Sequence, residues 1–198
     1  MLSIGLTGNI GAGKSTAARC FARHGCVTLD ADALGHQLLA EDPEVRAAIR
    51  DRFGPAVFTP EGEIDRKALG ARAFADPAAL AFLNQLLHPR ILAARERLLA
   101  PYRDSDAIVV TEAALIFEAE TGEGFDRVVV VTCRPELQRQ RLRARGDLDE
   151  SAITERIASQ WPPERKAAAA DDVLENNGTE AELDAQVQRL VARWRARA

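Results

Sequence analysis

The 198-residue sequence has few lysines, few cysteines and no long apolar run. Its three cysteines, Cys20, Cys26 and Cys133, lack CxxC or histidine-paired spacing and lie in apolar surroundings, so we expect buried free thiols rather than disulfides or zinc ligands. The longest apolar run, VVVVTC from Val128, is far shorter than the roughly 20 residues of a membrane-spanning helix. These shortages predict a cytoplasmic protein without a membrane segment.

An excess of basic charge is also lacking. The chain has 26 lysines and arginines against 30 aspartates and glutamates, for a formal net charge of −4. A nucleic-acid-binding protein usually carries a basic patch or stripe, so we expect no nucleic-acid partner, and any anion site must be local. The length allows one domain with subdomains, and the 46% hydrophobic content is that of a globular protein.

Five short apolar segments predict the strands of a parallel sheet. They are rich in valine, isoleucine and leucine, which is typical of strands buried on both faces, and helical patterns separate them as in βαβ units. The segments begin at Leu2, Val27, Ala107, Arg127 and Asp171. The sequence therefore predicts an α/β fold with a five-stranded parallel sheet.

A long helical stretch over about 33–103 separates the second and third strands. Within it, Asp76 followed by Pro77 predicts the start of a helix. Pro89 lacks a backbone donor, so we expect it to kink or interrupt that helix just after His88. We interpret the stretch as an inserted subdomain.

A glycine-rich segment follows the first strand. Residues Gly8–Ser15 read GNIGAGKS and match the phosphate-loop pattern G-x-x-x-x-G-K-[ST] in its required context, between a strand and a helix. Glycines let backbone N–H groups wrap a phosphate, and the helix N-terminus adds further donors. Lys14 supplies a positive charge for the outer phosphates, and the Ser15 hydroxyl is a candidate Mg²⁺ ligand.

Other interpretations of this loop fit less well. A simple glycine turn with a surface lysine does not explain why motif and context agree, and the spacing differs from the G-x-G-x-x-G of dinucleotide-binding folds. GTPases normally carry an [NT]-K-x-D segment, which neither Lys67 nor Lys166 matches. The pattern favours a kinase of a small molecule.

Three carboxylates follow the predicted strands. If the second strand continued through Asp32, Asp30 and Asp32 would lie on one face, and we assign Asp32 to deprotonate or orient an acceptor hydroxyl. The alternative is that these aspartates cap the next helix, which fits Asp30 better. Glu112 ends the third strand, where it could hold Mg²⁺ through water or merely face solvent.

An arginine-rich helical segment runs over about 135–170. Arg139 with Arg143, and Arg141 with Arg145, are like-charge pairs at i,i+4, which repel unless an anion offsets them. The functional interpretation is a lid over ATP, with Arg141 and Arg145 directed to the nucleotide. A solvated helix face is the alternative for the others.

In order and spacing, these segments resemble the dephospho-CoA kinases of bacterial coenzyme A biosynthesis. The similar elements, in chain order, are LTGNIGAGKST, LDAD, LNQLLHPRI, EAALIFE, the arginine-rich segment, RIASQ and ADDVLENNG. Their order separates this family from adenylate and other nucleoside monophosphate kinases, which share the loop. The family commonly has proline in a PLLFE run, where this chain has Ala114.

The resemblance implies a three-layer P-loop kinase fold that transfers the γ-phosphate of ATP, with Mg²⁺, to the ribose 3′-hydroxyl of dephospho-CoA. The implied catalytic residues are Asp32, Lys14 and Arg141, with Ser15 and Glu112 at the metal. The implied ATP-binding residues are Gly8, Gly11, Ala12, Gly13, Lys14, Ser15, Thr16, Arg145, Asn177 and Gly178. The implied dephospho-CoA-binding residues are Asp32, His88, Leu115 and Phe117.

The resemblance also implies one domain over 1–198 with three functional parts. These are a core at about 1–35, 104–134 and 170–198, a helical CoA-binding subdomain at about 36–103 and a helical lid at about 135–169. ATP and dephospho-CoA are the expected partners, and a monomer is favoured. Two alternatives stay open: another small-molecule kinase, such as a nucleoside monophosphate kinase, and a switch that uses ATP to control a partner protein.

Overall fold

A parallel β-sheet forms the centre of the first of two compact units in the computed structural model, which describes residues 1–118, 124–146 and 148–196. This unit comprises Met1–Asp30 and the chain from Pro101 onward. Neighbouring strands are parallel and lie in the order β2-β3-β1-β4-β5. They are β1 (Leu2–Gly8), β2 (Val27–Asp30), β3 (Ile108–Glu112), β4 (Arg127–Thr132) and β5 (Asp172–Glu175). The predicted five-stranded parallel sheet is confirmed.

Helices account for most of the remaining described chain. They are α1 (Lys14–Arg23), α2 (Ala31–Glu41), α3 (Pro43–Phe53), α4 (Arg66–Ala75), α5 (Pro77–Leu99), α6 (Pro135–Arg145), α7 (Glu150–Ala158), α8 (Pro163–Ala169) and α9 (Glu180–Arg195). Among the described residues, none of these helices has the length and apolar character needed to span a membrane.

Both faces of the sheet are covered. On one face, alternate strand residues such as Leu6 and Val131 pack with α1 and α9, where Phe21 and Trp194 stack with ring centroids 5.8 Å apart. On the other face, Val109 and Val130 are fully buried, and α8 packs against β4. This sandwich of helices around a parallel sheet is the predicted three-layer arrangement.

The three cysteines are free thiols, as predicted. Cys20 and Cys26 are buried, and burial raises the pKa of each thiol to about 11. Cys133 is half-buried, and its Sγ lies 3.9 Å from the carbonyl oxygen of Gly11. Burial also raises the pKa of Cys133, so this thiol stays protonated beside the glycine loop at neutral pH.

The second unit, Ala31–Ala100, is helical and has its own core. Three aspartates, Asp42, Asp65 and Asp76, cap the N-termini of α3, α4 and α5 by accepting backbone N–H bonds. The capped helices bury a shared set of apolar side chains: Val45, Ile49, Phe53, Val57, Leu69, Ala73, Ala79 and Leu83.

We expected Pro89 to kink or interrupt its helix, and the expectation of an interruption is wrong. Helix α5 runs without a break from Pro77 to Leu99, with Pro89 inside it. A proline within a helix costs about 3 kcal/mol or more, but packing holds both sides of this one. Leu83, before the proline, lies in the helical core, and Ile91, after it, packs at Gly35 of α2. Tertiary packing therefore maintains the helix through the proline.

Candidate active site

The predicted phosphate loop connects β1 to α1 and has the backbone conformation that its glycines allow. Gly11 and Gly13 have φ values of 78° and 98°, which disfavour residues with side chains. Gly13 is the N-cap of α1, and a Cβ atom there would lie 2.1 Å from Nδ2 of Asn176. The loop therefore requires glycine at residue 13 for both conformation and space.

Two polar side chains support the loop at the carbonyl of Ala12. Asn176 is buried after β5, and its Nδ2 donates to the Ala12 oxygen at 2.8 Å. Arg141, on α6, donates from Nη1 to the same oxygen at 3.3 Å and from Nη2 to the Asn176 carbonyl at 3.1 Å. The structure thus brings Arg141 to the phosphate loop from a distant part of the sequence.

The lysine and serine of the motif lie at the start of α1. Lys14 Nζ donates to the Gly8 carbonyl at 3.0 Å, across the loop. Ser15 Oγ donates to Oε1 of Glu112 at 2.9 Å, because the pairing of β1 with β3 places Glu112 beside the loop. A hydroxyl and a carboxylate side by side are oxygen donors of the kind that Mg²⁺ prefers, so these residues fit the ion.

The other residues predicted to bind the nucleotide have different surroundings. Asn177 accepts the Arg134 backbone N–H at 2.8 Å, at the start of α6, and Gly178 lies so close to Glu182 that a Cβ atom there would be 1.9 Å from Oε2. Thr16 Oγ1 accepts a bond from Arg19, and Arg145 is exposed at the end of α6. Binding of ATP by these residues stays a prediction.

The outer arginines of α6 pair with α7. Arg143 forms an ion pair with Glu150, and Arg139 donates to the Thr154 hydroxyl at 3.3 Å. An exposed helix face therefore accounts for these two arginines, whereas Arg141 turns toward the loop.

The expected extended arrangement of Asp30 and Asp32 is wrong. Strand β2 ends at Asp30, and α2 begins at Ala31 with no linker, so the two carboxylates do not share a strand face. Asp30 lies in register with Glu112 of β3. Asp32 is exposed in the first turn of α2, where a carboxylate interacts favourably with the helix dipole.

The residues predicted for dephospho-CoA lie in different surroundings. His88 is half-buried within α5 of the helical unit. Leu115 and Phe117 lie in the turn after β3, where Leu115 is 47% exposed and Phe117 stacks on Trp161 with ring centroids 5.8 Å apart. An exposed apolar side chain next to an aromatic pair could contact an organic ligand.

Sequence patterns did not predict the buried ion pair beside that turn. Lys166 is fully buried, and its Nζ lies 2.8 Å from Oε1 of Glu118 and 3.2 Å from the Ala114 carbonyl. Burial opposes ionisation of Glu118, but hydrogen bonds from Lys166 and from the Trp161 N–H outweigh it and hold the carboxyl pKa below its usual range. The alanine run after Lys166 does not signal this burial, since Ala168 and Ala169 are exposed.

A comparison with known proteins identifies the family. The family model described as dephospho-CoA kinase matches residues 2–182. A dephospho-CoA kinase of Thermobifida fusca is 40% identical over 190 residues, which cover 96% of this chain and 94% of the relative. One from Aromatoleum aromaticum is 41% identical over 196 residues, covering 98% and 95% of the two chains.

The chain belongs to the dephospho-CoA kinase family. The dephospho-CoA kinase of Campylobacter jejuni has a similar structure, with a TM-score of 0.71, 26% identity and coverage of 96% of this chain and 95% of the other. The Thermus thermophilus protein TT1252 matches with a TM-score of 0.85 and 30% identity over 97% of each chain. The resemblance inferred from the motifs is therefore confirmed, and the family's members are kinases.

A more distant structure shares only the fold. Shikimate kinase from Bacteroides thetaiotaomicron matches with a TM-score of 0.50 at 17% identity, over 97% of each chain. This likeness supports the P-loop kinase fold and says nothing about the acceptor.

Proposed function

We propose that this protein transfers the γ-phosphate of ATP to the ribose 3′-hydroxyl of dephospho-CoA, giving coenzyme A and ADP. The observation that carries the proposal is the convergence of Lys14, Ser15 and Arg141 on one glycine loop in a chain of the dephospho-CoA kinase family. The reaction completes coenzyme A synthesis.

On the ATP side, the loop residues Gly8–Thr16 hold the phosphates. The backbone N–H groups at the start of α1 and the Lys14 ammonium donate to phosphate oxygens, and Arg141 adds a second positive charge above Ala12. Arg145, Asn177 and Gly178 are proposed to contact the same nucleotide beyond its phosphates. Fixed donors of this kind stabilise the charge of the transferred phosphoryl group without reorganisation.

Ser15 and Glu112 are the residues proposed to hold Mg²⁺, Ser15 directly and Glu112 through water. Ser15 Oγ and Glu112 Oε1 are 2.9 Å apart, so both residues can contribute to binding one ion. When bound, Mg²⁺ would supply positive charge that offsets the negative charge of the phosphates.

On the acceptor side, Asp32 accepts or orients the proton of the ribose 3′-hydroxyl. The hydroxyl oxygen forms a bond to the γ-phosphorus as the bond to the ADP oxygen breaks, and no phosphoenzyme forms. His88, Leu115 and Phe117 are proposed to contact dephospho-CoA. A general base in such a step typically contributes a factor of about 100 to 10,000 to the rate.

The same proposal assigns functions to segments of the chain. Residues 36–103 would receive dephospho-CoA, residues 135–169 would cover ATP, and residues 1–35, 104–134 and 170–198 would form the core. Residues 119–123, 147, 197 and 198 lie outside the described part of the chain. We further propose that the enzyme acts as a cytoplasmic monomer on small molecules.

An acceptor competition tests the proposal. The purified protein is incubated with ATP, Mg²⁺ and an equimolar mixture of dephospho-CoA, AMP, CMP and shikimate, and the products are identified by mass. We expect one added phosphate on dephospho-CoA, and fragmentation should place it on the ribose. Preferential phosphorylation of a nucleoside monophosphate would contradict the proposal, as would tight ATP binding with no phosphorylated acceptor.

A further inference from the structure

Both backbone polar groups of Ile10, in the first half of the phosphate loop, are bound by side chains from other elements. The Ile10 N–H donates to Oε1 of Gln160 at 2.8 Å, and the Ile10 carbonyl accepts Nε2 of Gln138 at 2.7 Å. Gln138 lies on α6, and Gln160 follows α7. Two glutamines that are 22 positions apart in the 135–169 segment therefore hold one loop residue.

The neighbouring residue is tied to the same segment. Asn9 is buried, and its Nδ2 donates to the Trp161 carbonyl at 2.9 Å. Residues 160 and 161 thus contact two successive loop residues, one through a side chain and one through the backbone.

This connection is itself anchored inside the protein. The Trp161 N–H donates to Oε1 of Glu118 at 2.9 Å, and Glu118 pairs with the fully buried Lys166. The ring of Trp161 stacks on Phe117, and the Arg165 guanidinium lies 3.3 Å from the centroid of the same ring. Gln160 therefore extends from a segment whose position is defined by an ion pair, a hydrogen bond and ring contacts.

The held residue lies where the loop would otherwise be least restrained. Ile10 is flanked by Gly8 and Gly11, which have φ values of 148° and 78°. Fixing the backbone of one residue costs conformational entropy, and a loop ordered before binding does not incur that cost when the ligand arrives.

We infer that Gln160 is a positioning residue for nucleotide binding, which together with Gln138 orders the backbone of Ile10 before the phosphates bind. Gln160 need not touch the nucleotide to do this, because its bond is to the loop backbone. The inference rests on the proposed function only in taking the loop's ligand to be a nucleotide.

A substitution at Gln160 tests the inference. In Gln160→Ala, loss of one hydrogen bond is expected to raise the Kd for Mg²⁺·ADP and the KM for ATP about three- to tenfold, while kcat and the KM for dephospho-CoA stay within about twofold. Ser159→Ala is the matched control. Ser159 is the residue before Gln160, and the substitution removes only the local hydrogen bond from Ser159 Oγ to the Arg156 carbonyl. If Gln160→Ala folds poorly, Gln160→Met keeps the volume of the side chain without its acceptor.

A double-mutant cycle separates positioning from general destabilisation. Gln138→Ala and Gln160→Ala each remove a bond to the backbone of the same residue, so the double variant should bind ADP little more weakly than the single variant with the lower ADP affinity. Additive losses of ADP affinity would overturn the inference, and so would unchanged ADP affinity in Gln160→Ala or an equal loss in Ser159→Ala. ADP binding needs no acceptor, so a wild-type protein that binds ADP but fails to phosphorylate dephospho-CoA would refute the proposed function alone.

Discussion

The phosphate loop and the residues proposed for the acceptor differ in how the protein defines their positions. In the loop, Ala12 is held by Asn176 and Arg141, and Ser15 by Glu112, so distant elements converge on a short motif. On the acceptor side, Asp32 is exposed in a first helical turn, and His88 is half-buried in the middle of a long helix. In the proposed function, phosphate recognition therefore depends on a loop backbone held by distant elements, whereas the residues proposed for the acceptor are side chains on helices.

Removing the loop lysine gives the largest expected effect. Lys14→Ala deletes the ammonium that we propose neutralises the outer phosphates, and we expect kcat/KM for ATP to fall about 100- to 1000-fold. Lys67→Ala is the matched control, because Lys67 is an exposed lysine on α4. Steady-state kinetics with dephospho-CoA as the acceptor measure kcat/KM for ATP in both variants. Comparable losses would mean that the loop lysine matters no more than a surface lysine.

Replacing Asp32 and Asp30, one at a time, by asparagine tests the residues proposed for the acceptor. Asp32→Asn is expected to lower kcat about 100-fold or more with ADP affinity unchanged, whereas Asp30→Asn, at the end of β2, is expected to stay within about tenfold of wild type. Single-turnover rates report the chemical step directly. A slower chemical step in Asp30→Asn than in Asp32→Asn would reassign the acceptor residue.

Adding one methyl group to the loop tests its preorganisation. Gly13→Ala forces a Cβ atom against Asn176 at a positive φ, so we expect the Kd for Mg²⁺·ADP to rise about tenfold or more. Gly62→Ala has the same backbone strain, with φ of 85°, but its Cβ atom would meet nothing within 4 Å. Calorimetric titration of both variants should show normal ADP affinity in Gly62→Ala, and equal weakening would remove the special role of the contact with Asn176.

The buried Glu118–Lys166 pair gives the smallest effect, a change in pH dependence. Because the Glu118 pKa is lower in the folded than in the unfolded protein, its carboxylate stabilises the fold above the ordinary glutamate pKa of about 4.3 and loses this contribution as the pH falls through the folded value. In Glu118→Gln, the decrease in Tm between pH 7 and pH 3 should be smaller than in wild type by about 2–4 °C.

The control for this pH measurement is Glu155→Gln, since Glu155 is exposed on α7. Its Tm should follow the wild-type pH dependence. An identical pH dependence in Glu118→Gln would mean that the carboxylate has the same pKa in the folded and unfolded chain.

Local patterns predicted the features that depend on neighbouring residues. The buried strands, the helix start at Asp76 and Pro77, and the glycine loop are all encoded within a few positions and are present in the structure. These features depend on backbone conformation and short-range bonding, so the sequence suffices to find them.

Features that depend on distant contacts were missed or misplaced. Pro89 stays helical because of packing on both sides, and the start of α2 directly after β2 separates Asp32 from the strand face. Burial of Lys166 requires Glu118 and the Ala114 carbonyl, which lie far away in the sequence. No local period or motif contains such pairings.

The most direct test of the account is ADP formation by the purified protein with ATP and Mg²⁺, measured with and without dephospho-CoA and accompanied by the mass of the product. The account predicts turnover that depends on dephospho-CoA, with one phosphate added to it and a strong loss in Lys14→Ala. ADP formation that is independent of dephospho-CoA, or an unmodified acceptor in folded protein that binds ADP, would contradict it.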